Sequence, residues 1–190
     1  MVKLRKGISY SKKLERPYTR YSKYKALNYV RSRPVCKIPR FDTGDPKRTY
    51  EYTCSLIAKS DVQIRDSSIE SARQTSNRLL EKTLGKSGYS FKVRIYPHHI
   101  LRENPLASGA GADRLSTGMA HSFGKNIGIA ARVYKGSPLF TVQVDKPNLP
   151  LARQALKRAS YKLPCGCSIV VAENKPAQKV APVPVAEAAQ

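Results

Sequence analysis

Between Asn104 and Gly124 the chain reads Asn-Pro-Leu-Ala-Ser-Gly-Ala-Gly-Ala-Asp-Arg-Leu-Ser-Thr-Gly-Met-Ala-His-Ser-Phe-Gly, a segment that cannot hold a fold of its own. Glycines at 109, 111, 118 and 124 raise the entropic cost of any fixed conformation, and Asp113 and Arg114 form the one adjacent charge pair. Loops this long without internal structure are uncommon in compact domains, where they serve as binding elements or mobile segments. Any core must therefore be assembled from what flanks the loop, and the loop needs something else to order it.

Charge defines the class of partner. Lys and Arg number 35 against 13 Asp and Glu, a formal net charge of +22 on 190 residues. Self-repulsion on that scale opposes compaction unless a polyanion neutralises it, and nucleic acid is the leading polyanion. An anionic membrane is the competitor. It is disfavoured because no run of about 18 apolar residues exists and the lysines do not share one face of an amphipathic helix. The N-terminus Met-Val-Lys-Leu-Arg-Lys has no apolar core of a secretion signal, so a reducing, cytoplasmic setting is expected. The cysteines at 36, 54, 165 and 167 are then expected to stay thiols: Cys54 as a small hydrophobe in a strand, Cys165 and Cys167 at a turn. No metal and no cofactor are expected.

Residues 1–48 read as a basic, tyrosine-rich extension. Lys3, Arg5, Lys6, Lys12, Lys13, Arg16, Arg20, Lys23, Lys25, Arg31, Arg33, Lys37 and Arg40 face only Glu15 in the first forty residues, interleaved with Tyr10, Tyr18, Tyr21, Tyr24 and Tyr29. Cations alternating with rings suit a segment that neutralises phosphates while rings stack on bases, so this extension is expected to fold on RNA.

The body spans 49–172. Tyr50 to Ile57 and Val62 to Arg65 read as strands. Ser67 and Glu70 have the spacing of a capping box, and Ile69, Ala72, Ser76, Leu79, Leu80 and Thr83 follow at helical spacing until Gly85. Phe91, Val93 and Ile95 alternate with Lys92, Arg94 and Tyr96, the pattern of a half-buried strand with a basic outer face, stopped by Pro97. Ile129 to Tyr134 and Leu139 to Val144 read as a strand pair turning at Lys135 to Pro138. A second helix, capped by Asn148 with Pro150 in its first turn, carries Leu151, Ala152, Ala155, Leu156 and Ala159, and Ser168 to Ala172 adds a last strand. Leu79 and Leu156 are expected to face the sheet. The sum is an α+β fold: a two-layer body of mostly antiparallel sheet with two main helices, a basic N-terminal extension and a long flexible internal loop at 104–124. Residues 173–190, rich in Ala, Pro and Val, have no periodicity and are expected to be disordered.

Enzymatic motifs fail one by one. Gly118 to Gly124, followed by Lys125 and Asn126, has five residues between its glycines where a phosphate loop has four, and Asn where Ser or Thr would bind magnesium. His98 and His99, adjacent in an extended chain, point to opposite faces, a poor geometry for a shared metal. No carboxylate pair stands in an apolar context that would separate its pKa values for acid and base work.

Ser68 to Arg73, Phe91 to His99, Ala110 to Met119, Phe123 to Lys125 and Ala155 to Ala159 before Leu163-Pro164 resemble, in order and spacing, the large-subunit ribosomal protein called L-ten-e in archaea and eukaryotes, the counterpart of bacterial L-sixteen. The Ala-Gly-Ala-Asp-Arg-Leu-x-Thr-Gly-Met segment is similar to the archaeal and eukaryotic branch. From Glu173 onward the chain departs from the family pattern.

The resemblance implies a structural constituent of the large subunit, not an enzyme, in the cytoplasmic ribosome. It implies contacts with large-subunit rRNA, transfer RNA and neighbouring ribosomal proteins, and none with a membrane or a small-molecule substrate. The rRNA-binding residues expected are Lys3, Arg5, Lys6, Lys12, Lys13, Arg16, Tyr18, Arg20, Tyr21, Lys23, Lys25, Arg31, Arg33, Lys92, Arg94 and Lys125. The loop tip Asp113, Arg114, Leu115, Ser116, Thr117, Gly118 and Met119 would face transfer RNA or the peptidyl transferase centre. The rival from another class is a free-standing RNA chaperone or RNA-modification factor.

Overall fold

The computed structural model of the protein describes residues 17–19, 22–28, 30, 32–103 and 124–174. Among them are eight strands and two α-helices: β1 Asp42–Gly44, β2 Tyr52–Ala58, β3 Val62–Arg65, α1 Asp66–Leu84, β4 Ser90–Val93, β5 His99–Glu103, β6 Lys125–Val133, β7 Pro138–Val144, α2 Leu149–Ser160 and β8 Cys167–Glu173. A five-stranded sheet has the order β1-β4-β7-β2-β8, and a three-stranded sheet the order β3-β6-β5. Every pairing is antiparallel. This is the α+β architecture expected from the sequence. No helix among the described residues is long and apolar enough to cross a membrane.

The two sheets are joined at a corner. The strands β6 and β7 do not pair with each other, contrary to their reading as a strand pair: β6 lies between β3 and β5, and β7 between β4 and β2. The backbone N–H of Gly136 donates to the carbonyl of Ala58 at 2.9 Å, and that of Lys135 donates to Asp61 Oδ1 at 2.6 Å. These bonds pin the turn after β6 to the turn after β2, so the β2/β7 pairing passes directly into the β3/β6 pairing.

Helix α2 packs on β2, β7 and β8, and α1 packs on α2 and reaches β3 and β6. Alternation within strands puts Cys54, Leu56, Phe91, Phe140 and Val142 into this core, all fully buried. The Ser76 hydroxyl ties the helices together by donating to the Ala155 carbonyl at 3.1 Å. Leu156 is fully buried as expected, but on α1 it is Leu80 that is fully buried while Leu79 is half-buried on the flank. With 3.6 residues per turn, Leu80 completes the row of Ile69, Ala72, Arg73 and Ser76.

The capping bonds at the helix starts differ from the sequence reading. Ser67 and Glu70 form no capping box: α1 starts at Asp66, whose carboxylate accepts from the N–H of Ser67 at 2.7 Å and of Lys37 at 3.2 Å. Glu70 instead accepts two bonds from Arg73, at 2.8 and 2.7 Å. Asn148 occupies the cap position of α2 with Pro150 in the first turn, yet its side chain makes no capping bond. Gly85 ends α1 at φ +69, donating to the Glu81 carbonyl, a conformation that suits glycine.

Two strands were missed. The five-stranded sheet takes in β1 ahead of the body's expected start at Thr49, and Gly44 within it lies so close to the Tyr89 carbonyl that a Cβ would stand 2.1 Å away. β4 ends at Val93, short of the Pro97 stop expected from the sequence, and β5 begins two residues after Pro97 in the other sheet.

Candidate nucleic-acid interface

In β4 the extended backbone puts Phe91 and Val93 inside and Lys92 outside, and the same alternation runs past the strand's end through exposed Arg94, Tyr96 and His98. Lys92 and Arg94 therefore share the outer face of the five-stranded sheet. Lys92 Nζ lies 3.4 Å from Asp42 Oδ1 with both side chains half exposed, and Arg94 Nε donates to Thr141 Oγ1 at 3.0 Å. Asp42, Pro46, Ser90, Thr141 and Gln143 complete a shallow hollow around these two cations.

A second basic surface lies on the three-stranded sheet. The register sets Arg65 and His99 opposite Ala130, and Gln63 opposite Arg132 two residues along, so Arg65, His99 and Arg132 share one face. Burial and then the charges of Arg132 and Arg102 push the His99 imidazole below its ordinary range. It stays neutral, and its Nδ1 accepts a hydrogen bond from the Tyr18 N–H at 2.9 Å. The Tyr18 carbonyl accepts in turn from Ile100 N–H at 3.0 Å, and the Arg102 guanidinium stands 3.9 Å from the Tyr18 ring centroid. Tyr18 is thereby laid along β5, while Val30 is buried with Ile100 and Ile129 in a small separate cluster.

The base of the long loop adjoins this surface. Glu103 ends β5, Lys125 begins β6, and the two stand directly opposite each other. Asn126 Nδ2 donates to the Ser32 carbonyl at 2.5 Å, holding the incoming chain against β6.

Of the residues expected to bind rRNA, the structure brings Lys92 and Arg94 together on one sheet face. Tyr18 is at the β5 edge and Lys125 at the loop base. Lys23 and Lys25 are exposed around a 3-10 turn at Lys25–Leu27, away from the sheet ladders, and exposed Arg33 lies 5.9 Å from the Tyr96 ring centroid. Lys3, Arg5, Lys6, Lys12, Lys13, Arg16, Arg20, Tyr21 and Arg31 lie outside the described residues, as do the loop tip 113–119 and the tail from 175. Sequence reasoning missed Arg65, His99, Arg102 and Arg132 as a group, because their adjacency depends on register. Tyr96 was legible in the alternation with Lys92 and Arg94 but was not singled out.

Cys54 is a buried core residue of β2. The sulfurs of Cys165 and Cys167 lie 3.8 Å apart, and the hydrogen bond between them holds Cys165 below the usual thiol range. Among the described residues no group of three or more His, Cys, Asp or Glu side chains could hold a metal ion.

The family described as Ribosomal protein L16p/L10e matches residues 15–170, which takes in both sheets, both helices and the loop. The chain belongs to this family. It is similar to the large ribosomal subunit protein uL16 of Methanococcus maripaludis strain S2, 43% identical over 152 residues, 80% of this chain and 88% of the relative. The protein of the same description from Methanocella arvoryzae is 42% identical over 163 residues, 85% of this chain and 95% of its own length. That of Archaeoglobus fulgidus is 41% identical over 167 residues, 88% and 92% of the two chains.

Proposed function

We propose that the chain is a structural constituent of the large ribosomal subunit that binds large-subunit rRNA and carries out no catalysis of its own. The observation that carries this reading is membership of the L16p/L10e family, with relatives described as large-subunit proteins aligned over most of the chain. The two basic sheet faces support it. Lys and Arg there neutralise phosphates that would otherwise repel one another where RNA segments converge, and contacts of this kind position RNA without reading its sequence.

The loop 104–124 is the part directed at function. Since Glu103 and Lys125 are cross-strand partners, the chain leaves the body for the loop and returns from it at one place. Its tip, Asp113 to Met119, reaches toward the peptidyl transferase centre and the acceptor end of transfer RNA, where Arg114 supplies a guanidinium for phosphate. The N-terminal cations from Lys3 to Arg33 bind rRNA in the same way.

Binding of the purified chain to refolded large-subunit rRNA across a salt series tests the rRNA part. Affinity should fall steeply and linearly in log–log form as salt rises, with a shallower slope for Lys92→Ala. Salt-independent or absent binding would contradict the reading.

A further inference from the structure

The row of exposed residues that begins on β4 changes character along its length: Lys92 and Arg94 are cations, Tyr96 and His98 are rings. The rings do not stand alone. Tyr96 stacks on Phe41 with centroids 5.2 Å apart at 24°, and His98 lies 4.6 Å from Tyr96 at 44°. Phe41 packs against the main core, whereas Tyr96 is 40% exposed. The platform is held in place. Val93 N–H donates to the Phe41 carbonyl at 2.8 Å, His98 N–H donates to the Tyr96 carbonyl at 3.0 Å, and Pro97 between the two outer rings is buried.

From this geometry we infer that Tyr96 and His98 form a stacking shelf for an unpaired nucleobase of RNA, with Arg94 and Arg33 holding the flanking phosphates. The inference rests on the rRNA-binding reading above and deepens it by naming where a single-stranded segment docks. Exposed rings continuing a line of cations are the arrangement by which proteins hold single strands: the cations follow the backbone and the rings take the bases. The surroundings select RNA over a protein partner. Exposed Arg33, Lys37 and Arg40 lead into Phe41, Lys92 and Arg94 lead into Tyr96, and the chain carries a net charge of +22. A phenol ring beside an imidazole offers a π-face to any base, so the shelf does not depend on base identity.

The test uses the full chain with refolded large-subunit rRNA. Ultraviolet irradiation followed by digestion and mass spectrometry should find a nucleotide adduct on the peptide holding Tyr96 and His98. Tyr96→Ala should weaken binding about tenfold, the size of one lost base stack, with an unchanged salt slope, and Tyr96→Phe should restore it. Thermal melts of both variants confirm that the body is folded. If Tyr96→Ala binds rRNA as the unchanged protein does, salt slope included, the shelf is overturned and the rRNA reading stands. If the unchanged protein itself fails to bind rRNA, both are overturned. A Tyr96→Ala defect in contact with a ribosomal protein, with rRNA binding intact, would also overturn the shelf.

Discussion

The Tyr18 N–H donates to Nδ1 of His99 at 2.9 Å, and this bond ties the basic extension to the three-stranded sheet only while the imidazole is neutral. His99 has its pKa depressed, first by burial and then by Arg132 and Arg102. Protons therefore bind the unfolded chain more readily than the folded one below its ordinary value of 6.5. The contribution is full above that pH and is lost as pH falls through the lower folded value. Protection of the Ile100 amide against hydrogen exchange should drop in that window. In His99→Gln, which can still accept the bond but does not titrate, the drop should vanish. An equal drop in both proteins would show that another group is responsible.

Core substitutions should separate the two leucines of α1. Leu80→Ala and Leu156→Ala each empty a fully buried site and should cost roughly 2 to 5 kcal/mol, whereas half-buried Leu79→Ala should cost distinctly less. Denaturant melts give the order directly. Lys92→Ala breaks only a half-exposed ion pair, worth about 0 to 1 kcal/mol, and its effect should appear in rRNA binding instead.

The Glu70–Arg73 pair is bidentate and nearly enclosed, with side chains 12% and 11% exposed. Arg73→Ala leaves a carboxylate with little access to water and should destabilise by about 3 to 5 kcal/mol. Replacing both residues together with leucine should recover much of that loss. Equal melting of Arg73→Ala and the unchanged protein would mean that Gln74, which also donates to Glu70, suffices as a partner.

These sites mark how far the sequence could be read. Both helices were legible because apolar residues recur at 3.6 spacing and Gly85 supplies a stop. The basic face of β4 was legible because alternation alone determines it. The capping box was misread because Asp66, one position earlier, is drawn to the Lys37 N–H, a partner far away in sequence, and Glu70 is drawn to Arg73. The three residues of β1 are too few to show a period, and β5 lies just past Pro97, where the sequence reading stops the strand. Arg65 and His99 flank Ala130 only through register, which no local pattern carries.

The loop should separate stability from function. Arg114→Glu, or deletion of Asp113 to Thr117, should leave the melting temperature nearly unchanged, because a glycine-rich segment adds little to a core. Reconstituted large subunits should take up the variant yet bind acceptor-site transfer RNA poorly. A carboxylate in place of a guanidinium beside phosphate turns attraction into repulsion, worth about a few kcal/mol. Normal translation by such subunits would remove Arg114 from the functional assignment.

Residence of this chain in the large ribosomal subunit can be read from sedimentation of a cell extract. On a sucrose gradient at low salt, the protein should travel almost wholly with large subunits and whole ribosomes, and it should be released only as salt rises, because phosphate contacts hold it. Its presence chiefly at the top of the gradient, as free protein at low salt, would contradict the account and favour a free-standing RNA chaperone.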